Sequence, residues 1–284
     1  MKWQGRRQSE NIEDRRGASG RMVAGGGIGI VILALIIGLL GGDPRQLLQQ
    51  ARQQQPAPAQ QGAGAELSEQ DRMRGEFVAT VLADTEEVWT DVFAQNNRQY
   101  KKPKLQLFSG QTQSACGAAT AAAGPFYCPA DQKVYLDTAF FDQLAQQLGA
   151  PGDFAQAYVV AHEVGHHVQN LLGQTDKADQ VRRTRPEAEY NQYSVRLELQ
   201  ADFYAGMMFH HAQKRWSILE PGDIEEGLRA ASAIGDDTLQ KRSRGHANQE
   251  SFTHGTSEQR VRWFMKGLQT GDPSQGDTFS AQQL

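Results

Sequence analysis

His162 and His166 stand four residues apart in His162-Glu163-Val164-Gly165-His166, with a carboxylate beside the first of them. On a helix, residues at that spacing share a face, so both imidazoles reach one divalent cation such as Zn2+. Glu163 then stands where it takes a proton from a water that the metal activates. The pattern fixes only three positions, and an ordinary buried helix with two outward histidines would carry the same letters. What surrounds it decides. The loop Gly149-Ala150-Pro151-Gly152-Asp153 ends in an aspartate suited to cap a helix. Phe154, Ala157, Tyr158, Ala161, Val164, Val168, Leu171 and Leu172 then recur at helical spacing, and Gly173 supplies a natural stop. The glycine at 165 leaves room for a neighbouring element. His167 lies about 100° round from His166 and points elsewhere.

A catalytic zinc takes three protein ligands and keeps one position open. The segment Ser194 to Gly206 offers the third, because Glu198 and Asp202 share a face of a second helix whose buried stripe is Leu197, Ala201, Tyr204, Ala205 and Met208. One carboxylate ligates while the other accepts the ring N–H of a ligating histidine and fixes its tautomer. The alternative is a solvated acidic pair near Arg196. Two carboxylates on so apolar a face would be costly without a cation.

These stretches, HEVGHHVQ, RLELQAD and the later HGTSEQR, resemble the YpfJ-type neutral zinc metallopeptidases of bacteria, over nearly the whole of the 284 residues including Met1-Lys-Trp-Gln-Gly-Arg. More distantly, the Glu-x-x-x-Asp that follows HExxH is similar to the gluzincin arrangement of HtpX-like membrane peptidases. The resemblance implies a zincin-like α+β domain: a small sheet with an edge strand, the HExxH helix and a second ligand-bearing helix, behind one N-terminal transmembrane helix. It implies Zn2+ as cofactor, His162, His166 and Glu198 as ligands, Glu163 as general base, Asp202 as the partner of a ligating histidine, and a protein or peptide substrate.

Net charge is −4, which gives no case for binding nucleic acid. Charge is unevenly spread, however. Residues 1–21 carry Lys2, Arg6, Arg7, Arg15, Arg16 and Arg21 against Glu10, Glu13 and Asp14, and read as a basic cytoplasmic tail. Met22 to Leu40 is uncharged and rich in Ile, Leu and Val, long enough for a span over 22–41. A cleaved signal peptide and a core helix are the rivals; the run is too long for the first and lacks a polar face for the second. Residues 42–66, rich in Gln, Ala and Pro, read as a low-complexity linker, 67–270 as the metallopeptidase domain, and 271–284 as a disordered tail. The expected location is the inner membrane of a bacterial envelope, with the N-terminus cytoplasmic and the domain outside. There the lone pair Cys116 and Cys128 is most simply a disulfide; metal ligation by a cysteine is the alternative.

Ser68 to Ala94 repeats as an amphipathic helix. Residues 103–108 alternate like a strand, and 124–128 with 133–137 look like a hairpin. In a zincin a strand of this kind is the edge that pairs with an extended substrate, so Phe126 to Tyr135 either contains that edge or is an ordinary hairpin. Thr256 and Gln259 form a capping box for a last helix through Trp263, Phe264 and Leu268. His254, just ahead of it, either stabilises charge on the reacting carbonyl, fills the fourth metal position, or is a structural loop residue. Arg260 can bridge to a carboxylate near the site, while His210, His211 and His246 lack a spaced partner. The leading expectation is a membrane-anchored zinc peptidase. A noncatalytic envelope adaptor that keeps zinc for stability, or a metal hydrolase acting on something other than peptides, is the alternative.

Overall fold

Ser68 opens the long helix that the apolar repeat predicts, its hydroxyl accepting the Asp71 N–H at 3.1 Å. The computed structural model describes residues 1–17 and 67–284. In chain order they form β1 (Ile12–Asp14), α1 (Glu69–Gln95), β2 (Lys104–Phe108), β3 (Gln111–Ser114), β4 (Gly117–Thr120), β5 (Phe126–Cys128) and β6 (Lys133–Asp137). Helices α2 (Ala139–Gln146), α3 (Asp153–Leu171), α4 (Gln174–Thr184), α5 (Glu187–Trp216), α6 (Asp223–Ala233), α7 (Asp236–Arg244) and α8 (Ser257–Thr270) follow. The architecture is mixed α and β, as a zincin-like domain requires.

Four strands pair in the order β1-β2-β6-β5. The hairpin read at 124–137 is present, with β5 antiparallel to β6 and Tyr127 opposite Val134. β2 runs parallel to β6, so the sheet is mixed, and β5 is left at one edge. β3 and β4 form a separate hairpin that the sequence did not signal. Cys116, in the turn between them, is joined to Cys128 at the end of β5. Leu105, Leu107, Val134 and Leu136 from the sheet meet Val78, Val81 and Leu82 of α1 and Phe154, Tyr158 and Ala161 of α3 in one core. Helices α5 and α8 cross with backbones in contact: a side chain at Gly206 would strike the Phe264 carbonyl, and one at Gly267 the Phe203 carbonyl.

Three expectations need correction. Asp153 is not the cap of α3; Gly152 is, and Asp153 is the first helical residue, its carboxylate accepting the Met1 α-ammonium at 2.7 Å. The cytoplasmic basic tail over 1–21 is not a tail in its first sixteen residues. Met1–Arg16 and Ser68–Leu284 form one compact unit, with β1 parallel to β2. Reading charge alone missed this, because Arg6, Arg7 and Arg16 are spent on Asp84, Glu86, Glu87 and Asp14. Nor are residues 271–284 disordered. Pro273–Gly276 is a turn of 3-10 helix, Thr278 is fully buried, and Arg196 of α5 donates to the carbonyls of Thr278, Phe279 and Ala281. The expected span at 22–41 and the linker at 42–66 lie outside the described residues. Among the described residues no helix is long and apolar enough to cross a membrane.

Candidate metal centre and its pocket

Helix α3 carries His162, Glu163 and His166 near its middle, and α5 packs across it with Glu198 facing them. The close crossing depends on Gly165, where a side chain would come within 3.0 Å of the Ala201 carbonyl oxygen. His162 Nε2 lies 3.2 Å from Glu198 Oε2, and His166 Nε2 lies 3.5 Å from Glu198 Oε1. Tetrahedral bonds to zinc of about 2.05 Å require ligand atoms about 3.3 Å apart. The three side chains therefore fit a zinc ion, and their ligand atoms all lie within 4.8 Å of one another. His254 is not part of that group.

Each histidine is held by a partner on its far nitrogen. His162 Nδ1 lies 2.8 Å from Asp202 Oδ1, so a proton there leaves Nε2 free for a metal. Asp202 is itself fully buried, and Arg260 from α8 binds it through Nε at 2.9 Å and the terminal nitrogen at 3.0 Å. Tyr158, one turn before His162, donates to the same carboxylate. His166 Nδ1 lies 2.9 Å from Gln169 Oε1. The amide orientation follows from its other end, because Gln169 Nε2 donates to the Leu197 carbonyl at 2.7 Å and to Gln200 Oε1 at 3.1 Å. Gln200 in turn donates to the Gly276 carbonyl, so the C-terminal segment is tied to a metal-facing histidine through two amides.

Burial opposes charge throughout this group, and mutual pairing overcomes it. Burial works against an imidazolium at His162, yet Asp202 and Glu198 hold its pKa up to about 10. Burial likewise disfavours the Asp202 and Glu198 anions; Arg260 and His162 hold Asp202 below the ordinary range, and His166 and His254 hold Glu198 well below it.

Glu163 is buried and lines a cavity of about 550 Å³ together with the three ligands. β5 forms one wall of it through Phe126 and Tyr127, with Pro125 just ahead, and Phe140, Val159, Ile234 and Leu239 add apolar surface. His254 lines the cavity as well, half-exposed, its Nδ1 3.4 Å from Asp236 Oδ1. Asp236 holds that loop in place, accepting the backbone N–H groups of Thr253, His254 and Gly255. The Glu198 carboxylate across the cavity raises the His254 pKa against the effect of burial. His167 faces away from the cavity and is fully buried, within 3.0 Å of the Tyr127 hydroxyl and 2.6 Å of the Lys101 carbonyl, so it ties β5 to the metal helix. Burial lowers its pKa to about 4, which keeps it neutral.

Sequence reasoning placed His162, Glu163, His166, Glu198, Asp202, His254 and Arg260, and all seven border or support this one site. It missed Tyr158, Gln169 and Asp236. Tyr158 precedes His162 by four residues and Gln169 follows His166 by three, so helical spacing was a usable signal for both. Asp236 is remote in sequence from the loop it holds, and nothing pointed to it.

An HExxH helix, a carboxylate facing it from the next long helix and a strand edge beside the cavity are the arrangement of a zincin-like domain. The chain belongs to the family described as "Putative neutral zinc metallopeptidase", whose model matches residues 1–279. It is 46% identical to YpfJ of Escherichia coli (strain K12) across a 289-residue alignment covering 98% of this chain and 99% of that one. It is 47% identical over 195 residues to Mb2605 of Mycobacterium bovis and to Rv2575 of Mycobacterium tuberculosis, covering 65% of this chain and 65% of each of theirs. No solved structure matches the chain. A zinc peptidase family implies Zn2+ and a protein or peptide substrate.

Proposed function

We propose that this protein is a zinc metallopeptidase that hydrolyses peptide bonds at the His162–His166–Glu198 centre, with Glu163 as general base. The observation that carries the reading is the convergence of His162, His166 and Glu198, whose ligand atoms lie within 4.8 Å of one another, in a cavity walled by a sheet edge. A zinc ion held there supplies Lewis acidity, polarising a carbonyl and making a water easier to deprotonate.

The chain's own groups do the rest. Among the described residues β5 has a strand partner on one side only, so an extended substrate can add to its other edge through backbone hydrogen bonds. That places a scissile carbonyl over the centre. Glu163 takes a proton from the attacking water and hands it to the departing amine nitrogen, so the carboxylate is restored as the C–N bond breaks. His254, its Nδ1 beside Asp236, donates from its other ring nitrogen to the carbonyl oxygen as negative charge grows on it. Asp202, Arg260 and Gln169 hold the two imidazoles in the tautomer the metal needs. An adaptor with a permanently closed zinc would want a fourth ligand, and His254 stands outside the ligand group.

The domain works outside the cytoplasm in this reading, as a protein of the bacterial envelope associated with the membrane through residues 22–41. Support comes from the disulfide between Cys116 and Cys128, which belongs to an oxidising compartment, and from the uncharged run at 22–40. Metal analysis tests the centre directly. Purified protein is expected to carry one zinc per chain, and Glu198→Ala to lose most of it together with peptide cleavage. Unchanged zinc in Glu198→Ala removes Glu198 as a ligand.

A further inference from the structure

Residues 1–16 are not draped over the domain; they are built into it. The Met1 α-ammonium is buried against Asp153 at 2.7 Å and Asp223 at 3.3 Å, at the start of the metal helix. Asp153, Asp223 and Glu226 form a second group among the described residues close enough to hold a cation, and the ammonium lies against Asp153 and Asp223. Trp3 packs edge-on against Phe77 of α1. Asp84 on α1 is buried and takes Arg6 at 2.6 Å; Glu86, buried likewise, takes Ser9, Asn11 and Arg7. β1 then pairs with β2 over Ile12–Leu105 to Asp14–Leu107, and Arg16 is buried between Asp14 and the Asp71 carbonyl.

This surface is cut to its occupant. Buried carboxylates at 84 and 86 would be costly without the cations and donors that residues 6–11 bring. Without residues 12–14, β2 would present an open edge. The segment and the domain are therefore halves of one folding unit, separated in sequence by residues 17–67.

We infer that residues 1–16 and the metal-site domain lie in one compartment, on the same side of any membrane the protein meets. A single crossing between residues 17 and 67 would put them on opposite sides and separate every pair just named that joins residues 1–16 to the domain. A cytoplasmic N-terminus with the domain outside is therefore excluded as an arrangement of the folded chain. With Cys116 and Cys128 joined, the shared side is the oxidising one. The inference stands apart from the peptidase reading, since it uses no residue of the metal centre.

The test is side-specific labelling of the full chain in cells. Arg15→Cys and Arg183→Cys, both at exposed positions, are treated with a membrane-impermeant maleimide before and after permeabilisation. Both sites are expected to react at the same stage. Reaction of one in intact cells and of the other only after permeabilisation overturns the inference. The docking itself is read independently: Arg6→Glu in the purified full chain is expected to lower Tm by at least about 3 °C. An Arg6→Glu protein that melts with the wild type would also overturn it.

Discussion

Gln169 shows how much of a metal centre lies one bond beyond the ligands. Its carbonyl oxygen faces His166 Nδ1, and its amide nitrogen is committed to Leu197 and Gln200, so it cannot turn round. Gln169→Leu removes the acceptor while keeping approximate size, and frees the His166 ring to rotate or to carry its proton on the wrong nitrogen. Loss of such a partner typically costs 10–100-fold in metal affinity, and that range is expected in competition with a zinc chelator. An unchanged affinity would mean that packing alone orients His166. The candidate ligands and their partner Asp202 were legible in the sequence because the spacing within each helix is local: His162 to His166 and Glu198 to Asp202 are each one helical turn. Tyr158 and Gln169 share that local spacing but are residue types with many ordinary roles, so their letters carry little weight until the geometry is known. Arg260 was legible only as a cation near the right loop. Its burial against Asp202 could not be foreseen.

At the scale of elements, the centre depends on how closely α3 and α5 approach. Gly165→Ala sets a methyl group against the backbone of Ala201, at 3.0 to 3.3 Å from its atoms. Backbone cannot step aside as a side chain tip can, so the helices must part. A loss of about 1–3 kcal/mol is expected in chemical denaturation, with weaker zinc binding because Glu198 moves with α5. The loop bearing His254 is governed by Asp236 in a similar way. Burial alone would raise the Asp236 pKa, but its hydrogen bonds to His254 and the backbone N–H groups hold it below the ordinary aspartate value. A depressed folded pKa means that the ionised carboxylate stabilises the fold above the unfolded aspartate pKa, and that this is lost as pH falls through the folded one. Asp236→Asn should therefore cost on the order of 2 kcal/mol near neutral pH. The difference in Tm from wild type should shrink as the pH is taken below the ordinary aspartate range. A gap that stays constant with pH would show that the charge on Asp236 does not hold the loop. Helices α1 and α8 were readable from periodicity and caps, α3 from periodicity and its Gly173 stop although its N-cap was misread, and the β5–β6 hairpin from its turn. The β3–β4 hairpin was not, since Gly117-Ala118-Ala119-Thr120 lacks the alternation of a strand and has a single branched residue.

Across the whole molecule, the two ends of the chain converge on the same domain from opposite sides of its sequence. Residues 1–16 secure the start of α3 through Met1 and Asp153, and residues 276–281 secure α5 through Gln200 and Arg196. Both ends read as tails in the sequence for the same physical reason. Their apolar residues are few, and what holds them is buried polar pairing with partners far along the chain, which no local pattern announces. The central claim is hydrolysis at this centre with Glu163 as base, and one comparison tests it most directly. Wild type and Glu163→Gln, each loaded with zinc to the same stoichiometry, are incubated with a peptide library derived from envelope proteins, and new termini are read by mass spectrometry. Glutamine keeps the shape of the side chain but cannot accept the proton. New termini are expected from the wild type, and a rate at least about 10²-fold lower from Glu163→Gln. Equal cleavage by the two proteins would contradict the account.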